Sequence, residues 1–173
     1  MNQRGQVWVE TAIYTLIAFV LIGAVLAFAK PKIDEMKDKM IVEQSINMLK
    51  EIDNTLRSIG IPGNQRVVDL TIKDGSLKID GEEDKIIFEI ESQYKYSEEG
   101  VEITNDNLKI LTLKEGGIEK VKITANYGSD RNLTFDGKDQ EKIIIKSPTP
   151  FKLIIIRKES GEQNRIVIDL KIN

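Results

Sequence analysis

The sequence predicts an α+β fold, a long N-terminal α-helix packed on a C-terminal antiparallel β-sandwich or β-sheet domain. Three observations carry this. Residues 11–29 hold 19 positions without a formal charge. Apolar residues then recur at steps of three and four as far as Ile59. From Arg66 onward the apolar period changes to two. Periods of 3.6 and 2.0 are the signatures of helix and strand.

The first element is the apolar run. Leucine, isoleucine, valine, phenylalanine and alanine dominate it, and Thr11, Tyr14 and Thr15 are its polar residues, all near its start. At about 1.5 Å per residue it spans roughly 29 Å, the hydrocarbon thickness of a bilayer. A core helix of a soluble domain shows a polar face, and this run has none. The expectation is a membrane-inserted segment over residues 7–29.

Beyond Pro31, a residue expected to kink or break the helix, Ile33, Met36, Met40, Ile41, Leu49, Ile52, Leu56 and Ile59 form one stripe. Asp34, Glu35, Lys37, Asp38, Lys39, Glu43, Lys50 and Asp53 fill much of the other face. This predicts an amphipathic helix over 33–59, ended by Gly60, Pro62 and Gly63. The stripe packs on the β-domain, on neighbouring copies, or on both.

Strand signals follow at intervals of about ten residues over 66–173. "VVDLTIK" and "SLKI" flank Asp74-Gly75, a hairpin pattern. "IIFEI" alternates, "VEI" and "LKILTL" flank a turn at Asn105-Asp106, and "VKITANY" alternates again. Gly116-Gly117 reads as a hairpin turn and Asp136-Gly137 as another turn. "IIIK", "FKLIII" and "IVIDLKI" complete the set. Residues 143–145 and 153–156 are apolar on both faces. They read as central strands, or as edges that a partner covers.

Composition narrows the chemistry. The chain has 173 residues, no cysteine and no histidine. Disulfides, thiolate zinc sites, Ser-His-Asp, Cys-His and HExxH chemistry are excluded. The net charge of -3 offers no basic surplus for nucleic acid. "DGEEDK" at 80–85 lacks the EF-hand glycine and reads as a solvated turn. Asp130, Asp136 and Asp139 lie near one another without a metal-loop signature. No metal, cofactor or catalytic residue is assigned, and the expectation is a protein that is not an enzyme. Asn132, in "NLT", is a glycosylation candidate.

The N-terminus admits three readings. A secretory signal cut after Ala29 fits the small residues Ala27 and Ala29, but not Glu10. A plain N-terminal anchor leaves Glu10, about one turn into the apolar segment, equally unexplained. The third accounts for it. "RGQVWVE" before an apolar helix resembles the class III signal peptide of archaeal type IV pilin-like proteins. That resemblance implies residues 1–5 as a leader, cut between Gly5 and Gln6 by a prepilin peptidase that reads Arg4 and Gly5. Glu10 is then the fifth mature residue. Its implied role is to offset the α-amino group of Gln6, on its own or a neighbouring copy. In the family pattern Q-x-S-x-E, Trp8 replaces the serine here, and Thr11 follows the glutamate.

Under this reading residues 6–60 form the N-terminal helix and 66–173 an extracytoplasmic β-domain. Gly23 and Ala27, four apart, form a small-xxx-small pair that allows close helix approach. The resemblance implies self-assembly, with copies and related pilins, into a surface filament for adhesion, after a stage held in the cell membrane with the β-domain outside. The alternatives are a monomeric membrane-anchored β-domain that binds a ligand or envelope partner, and an anchored or secreted enzyme using acidic residues alone.

Overall fold

A computed structural model describes residues 3–159 and 165–173, with side chains described from Val7 onward within the first helix. The fold is α+β: among the described residues, one long N-terminal helix, whose later part packs against two β-sheets, is followed by ten strands. The helix is α1 (Gln3–Ser58). The strands are β1 (Gln65–Leu70), β2 (Ser76–Asp80), β3 (Lys85–Glu91), β4 (Glu102–Asn105) and β5 (Leu108–Glu115). There follow β6 (Ile118–Asn126), β7 (Arg131–Phe135), β8 (Glu141–Ile145), β9 (Phe151–Arg157) and β10 (Ile166–Ile172). Internal contacts divide the chain into two units, one ending at Lys37 and one running from Asp38 to Asn173.

The first unit is helix alone. Pro31 cannot donate an N–H to the Ala27 carbonyl, yet α1 continues through it. Lys32–Glu35 and Lys37–Asp34, each three residues apart, brace the charged turns after the apolar run. Ile33 and Met36 were expected to begin a packed stripe. They are exposed, as is Met40 at the start of the second unit. Burial in the core begins at Val42, within the second unit.

In the second unit, Val42, Ile46, Leu49, Ile52 and Leu56 of α1 join both sheets in one core cluster. Asp53, expected on the polar face, is buried with them. It lies four residues after Leu49, so helical geometry directs it inward whatever its charge.

The six-stranded sheet runs β4-β5-β6-β3-β2-β8, and every neighbouring pair is antiparallel. Its inner face carries Leu77, Ile79, Ile86, Phe88, Ile90, Ile110, Val121 and Ile123, all buried. The four-stranded sheet runs β1-β9-β10-β7. Its pairs are antiparallel except one: β10 pairs parallel with β7. The chain leaves β7, builds β8 on the other sheet and returns through β9, so β10 meets β7 only after that crossover.

Asp74-Gly75 is a further correction. It does not close a hairpin, because β1 pairs with β9 while β2 pairs with β3 and β8. The glycine is nevertheless required there. Its φ is 81°, and a Cβ would lie 2.4 Å from the Glu89 carbonyl oxygen. True two-residue hairpins occur at Asp106-Asn107, one residue later than expected, and at Gly116-Gly117. At the second, both φ angles are positive, as a type I′ turn needs. The apolar run of β9 is central, with Leu153 and Ile155 fully buried, whereas that of β8 lies at a sheet edge.

Candidate functional site: an apolar helix surface and the polar centres of the β-domain

The first unit presents apolar side chains in all directions. Trp8 is 82% exposed, Phe28 76% and Phe19 67%. Thr11 Oγ1 donates to the Val7 carbonyl at 2.9 Å and Thr15 Oγ1 to the Thr11 carbonyl at 2.9 Å. Their hydroxyls are thus satisfied inside the helix and demand nothing from an apolar environment. Among the described residues one helix is long and apolar enough to cross a membrane, and this stretch supplies that property. An apolar N-terminal membrane anchor fits it.

Arg4, Gly5 and Gln6 fall in the first turns of α1, whose side chains lie outside the described residues. Glu10 is exposed, and among the described residues no cation stands within ion-pair distance of it. Gly23 is open: a Cβ there would meet nothing within 4 Å. Ala27, one turn on, lies within the same uncovered stretch. The helix therefore sets Glu10, Gly23 and Ala27 on a surface that is bare in one chain.

The acidic motifs of the β-domain are tied inward. Asp80 Oδ1 accepts the Glu83 N–H at 3.0 Å, and its Oδ2 lies 3.1 Å from Lys78 Nζ. Burial works to raise the Asp80 carboxyl, but the Glu83 amide and Lys78 outweigh it and hold it below its usual value. Asp84 has φ 53° in the β2–β3 turn, a conformation Asp tolerates. Its Oδ1 accepts the Leu133 N–H at 2.7 Å and its Oδ2 the Arg165 guanidinium at 2.9 Å. Asp130 pairs with Arg131, while Asp136 occupies a tight turn at φ 51°. Among the described residues no group of three or more acids is placed to hold a metal ion.

Asn132, the glycosylation candidate, is on β7 and half-buried, and its Oδ1 accepts from Arg165 Nη2 at 3.0 Å.

Sequence reasoning missed two polar centres. On α1, Asp53 accepts from Arg57 Nε at 3.0 Å and from Asn107 Nδ2 at 3.0 Å, which ties the helix to the β4–β5 turn. Lys50 adds a bond to Asn105 at 2.8 Å and an ion pair with Asp106 at 2.7 Å. Beside them Tyr127 is fully buried under Arg57, and its hydroxyl has no partner among the described residues. Burial and the nearby Asp53 carboxylate push its phenol well above the usual range. The second centre is Asp169 on β10, which accepts from Thr134 Oγ1 at 3.0 Å and the Gly137 N–H at 2.6 Å. The Asp53–Arg57 spacing and the cluster Asn105, Asp106, Asn107 were the available signals. These centres tie the helix and the strands of the β-domain together.

No protein-family model, curated protein or solved structure matches this chain.

Proposed function

We propose that this chain is a subunit of an archaeal type IV pilus-like surface filament. A prepilin peptidase cuts it between Gly5 and Gln6. It waits in the cell membrane with its β-domain outside. It then assembles with copies of itself and related pilins through residues 7–29, and the filament serves adhesion.

One observation carries the reading. Residues 11–29 carry no charge, show no polar face and are exposed almost throughout, in a chain whose β-domain has already closed its own core. Apolar surface is worth roughly 25 cal/mol per Å² when removed from water. A stretch this large must remain in lipid or be covered by other helices. Cutting upstream of it keeps it on the mature chain, and Glu10 then lies where an incoming helix bears a free α-amino group. A buried carboxylate needs such a partner.

The test is the intact mass of the membrane-extracted protein. A chain beginning at Gln6 supports the reading. One that retains residues 1–5 supports the monomeric anchored β-domain instead, and one beginning at Lys30 means a secreted product. Replacing Gly5 with a bulkier residue is expected to leave the leader attached and block assembly, with the β-domain still folded. Normal filaments from that variant refute the cut site.

A further inference from the structure

Strict alternation of strand direction over six strands makes the two edges of the larger sheet, β4 and β8, run in opposite directions. Each pairs on one side only. Both edge strands are short and carry charged residues, Glu102 on β4 and Glu141 and Lys142 on β8, yet neither is closed by a proline or a break in register. β8 contains no proline and keeps continuous register with β2, and its Ile143 and Ile145 are 58% and 66% exposed. β4 leaves Ile103 exposed, as is Val101 just before it.

The edges also differ in charge. Residues 98–106 carry Glu98, Glu99, Glu102 and Asp106 with no basic residue. Residues 138–146 carry Lys138, Lys142 and Lys146 against Asp139 and Glu141. Lys78 engages Glu141, and Lys146 approaches Asp74 at 3.3 Å. On the acidic edge Glu102 meets Lys109 and Asp106 meets Lys50. Glu98 and Glu99 take part in no ion pair among the described residues.

One row of cross-strand partners runs Glu102, Leu111, Lys122, Glu89, Ser76, Ile145 across the whole sheet. Glu102 and Ile145 therefore share a face.

We propose that β4 of one copy pairs antiparallel with β8 of the next, so that the six-stranded sheet continues from copy to copy. The occupant is a second copy because both halves of the contact are present on each molecule, acidic on one edge and basic-apolar on the other. The face-preserving registers set Glu102 and Thr104 against Ile143 and Ile145. The contact is heterologous, so it propagates. With four or five residues a side it is weak alone, and it forms where the helices already hold copies at high effective concentration. The inference thus rests on the assembly reading above.

The absence of cysteine allows a clean test. Full-length chains in lipid vesicles carry Thr104→Cys, Ile143→Cys or both, and a short bismaleimide reports proximity even one pair out of register. Ile17→Cys, in the apolar helix, reports helix packing separately. The expected result is a ladder of oligomers from the double variant and none from either single variant. Dimers from a single variant, or no ladder while Ile17→Cys cross-links, overturn the edge contact and leave helix assembly standing. A ladder without Ile17→Cys cross-links supports the edge contact and overturns helix packing. No cross-links at either place overturn both. In the double variant Ile145→Glu, set against the acidic edge, lowers ladder yield ~tenfold, whereas Ile145→Lys keeps it within about twofold. An equal loss from both overturns the charge complementarity.

Discussion

The two halves of α1 face the same physical problem and meet it differently. From Val42 to Leu56 the apolar side chains point into the β-domain and lose their exposure, and the one carboxylate among them, Asp53, is given Arg57 and Asn107. From Val7 to Phe28 the apolar side chains cover every face and stay exposed, and the one carboxylate, Glu10, has no such partner among the described residues. The lesson is that one helix can finish a core inside its own chain with one half and leave the other half exposed. Period alone does not separate these outcomes.

The sharpest way to break this contrast is to truncate one leucine in each half. Leu56, fully buried in the core cluster, is expected to cost about 2–5 kcal/mol of β-domain stability as Leu56→Ala, the usual penalty for lost contacts plus a cavity. Leu21→Ala, at an exposed position of the first half, is expected to leave that stability within about 0.5 kcal/mol. Denaturant unfolding of both full-length variants in detergent, read on the β-sheet signal, decides it. Equal losses would mean that the first half is part of the same core.

The carboxylates give a second, smaller contrast. Asp53→Ala leaves the Asn107 amide and the Arg57 guanidinium without their acceptor, at a cost of about 1–3 kcal/mol. Glu10→Gln is expected to leave β-domain stability unchanged while reducing assembly, measured as the pelletable or cross-linked fraction. Unimpaired assembly would place Glu10 at a lipid interface instead.

How much of this was legible in the sequence follows from the same contrast. The apolar run, the switch to period two and the hairpin glycines at 116–117 are local signals, and each produced its element. The pairing of β1 with β9 is not local. It joins residues 65–70 to 151–156, while the Asp74-Gly75 pattern pointed to the nearer strand. The exposure of Ile33, Met36 and Met40 was hidden because their spacing matches the buried positions further on, and spacing does not tell which turns of a helix meet a core. Asp53 was misplaced because residue type outweighed position in assigning it to the solvent face. Glu10, Gly23 and Ala27 were legible as a surface, since a long apolar run keeps its residues on a helix whatever it packs against. The edge strands β4 and β8 were not, because edge position is a property of the finished sheet order.

The smallest expected effect concerns the seam where the buried half of α1 meets the sheets. Tyr127 lies there with its hydroxyl buried and unpartnered among the described residues, under Arg57 and near Asp53. Removing the oxygen as Tyr127→Phe keeps the ring and its packing and lifts the desolvation cost, so the variant is expected to be as stable as the parent or up to about 1 kcal/mol more stable at neutral pH. The pH dependence sharpens this. The folded state holds the phenol's proton above the ordinary value of 10.0, because burial and Asp53 both disfavour the phenolate. Below that ordinary value both states keep the proton and the stability is fully present. As pH rises past it, the unfolded chain releases the proton while the folded chain does not, and stability falls. Unfolding midpoints of the parent and Tyr127→Phe, followed from pH 8 upward, are therefore expected to run parallel at first and to diverge above about pH 10, with the parent losing more. Parallel loss throughout would mean that the hydroxyl reaches water or a partner in solution, and the junction between helix and sheets would then be looser than its burial implies.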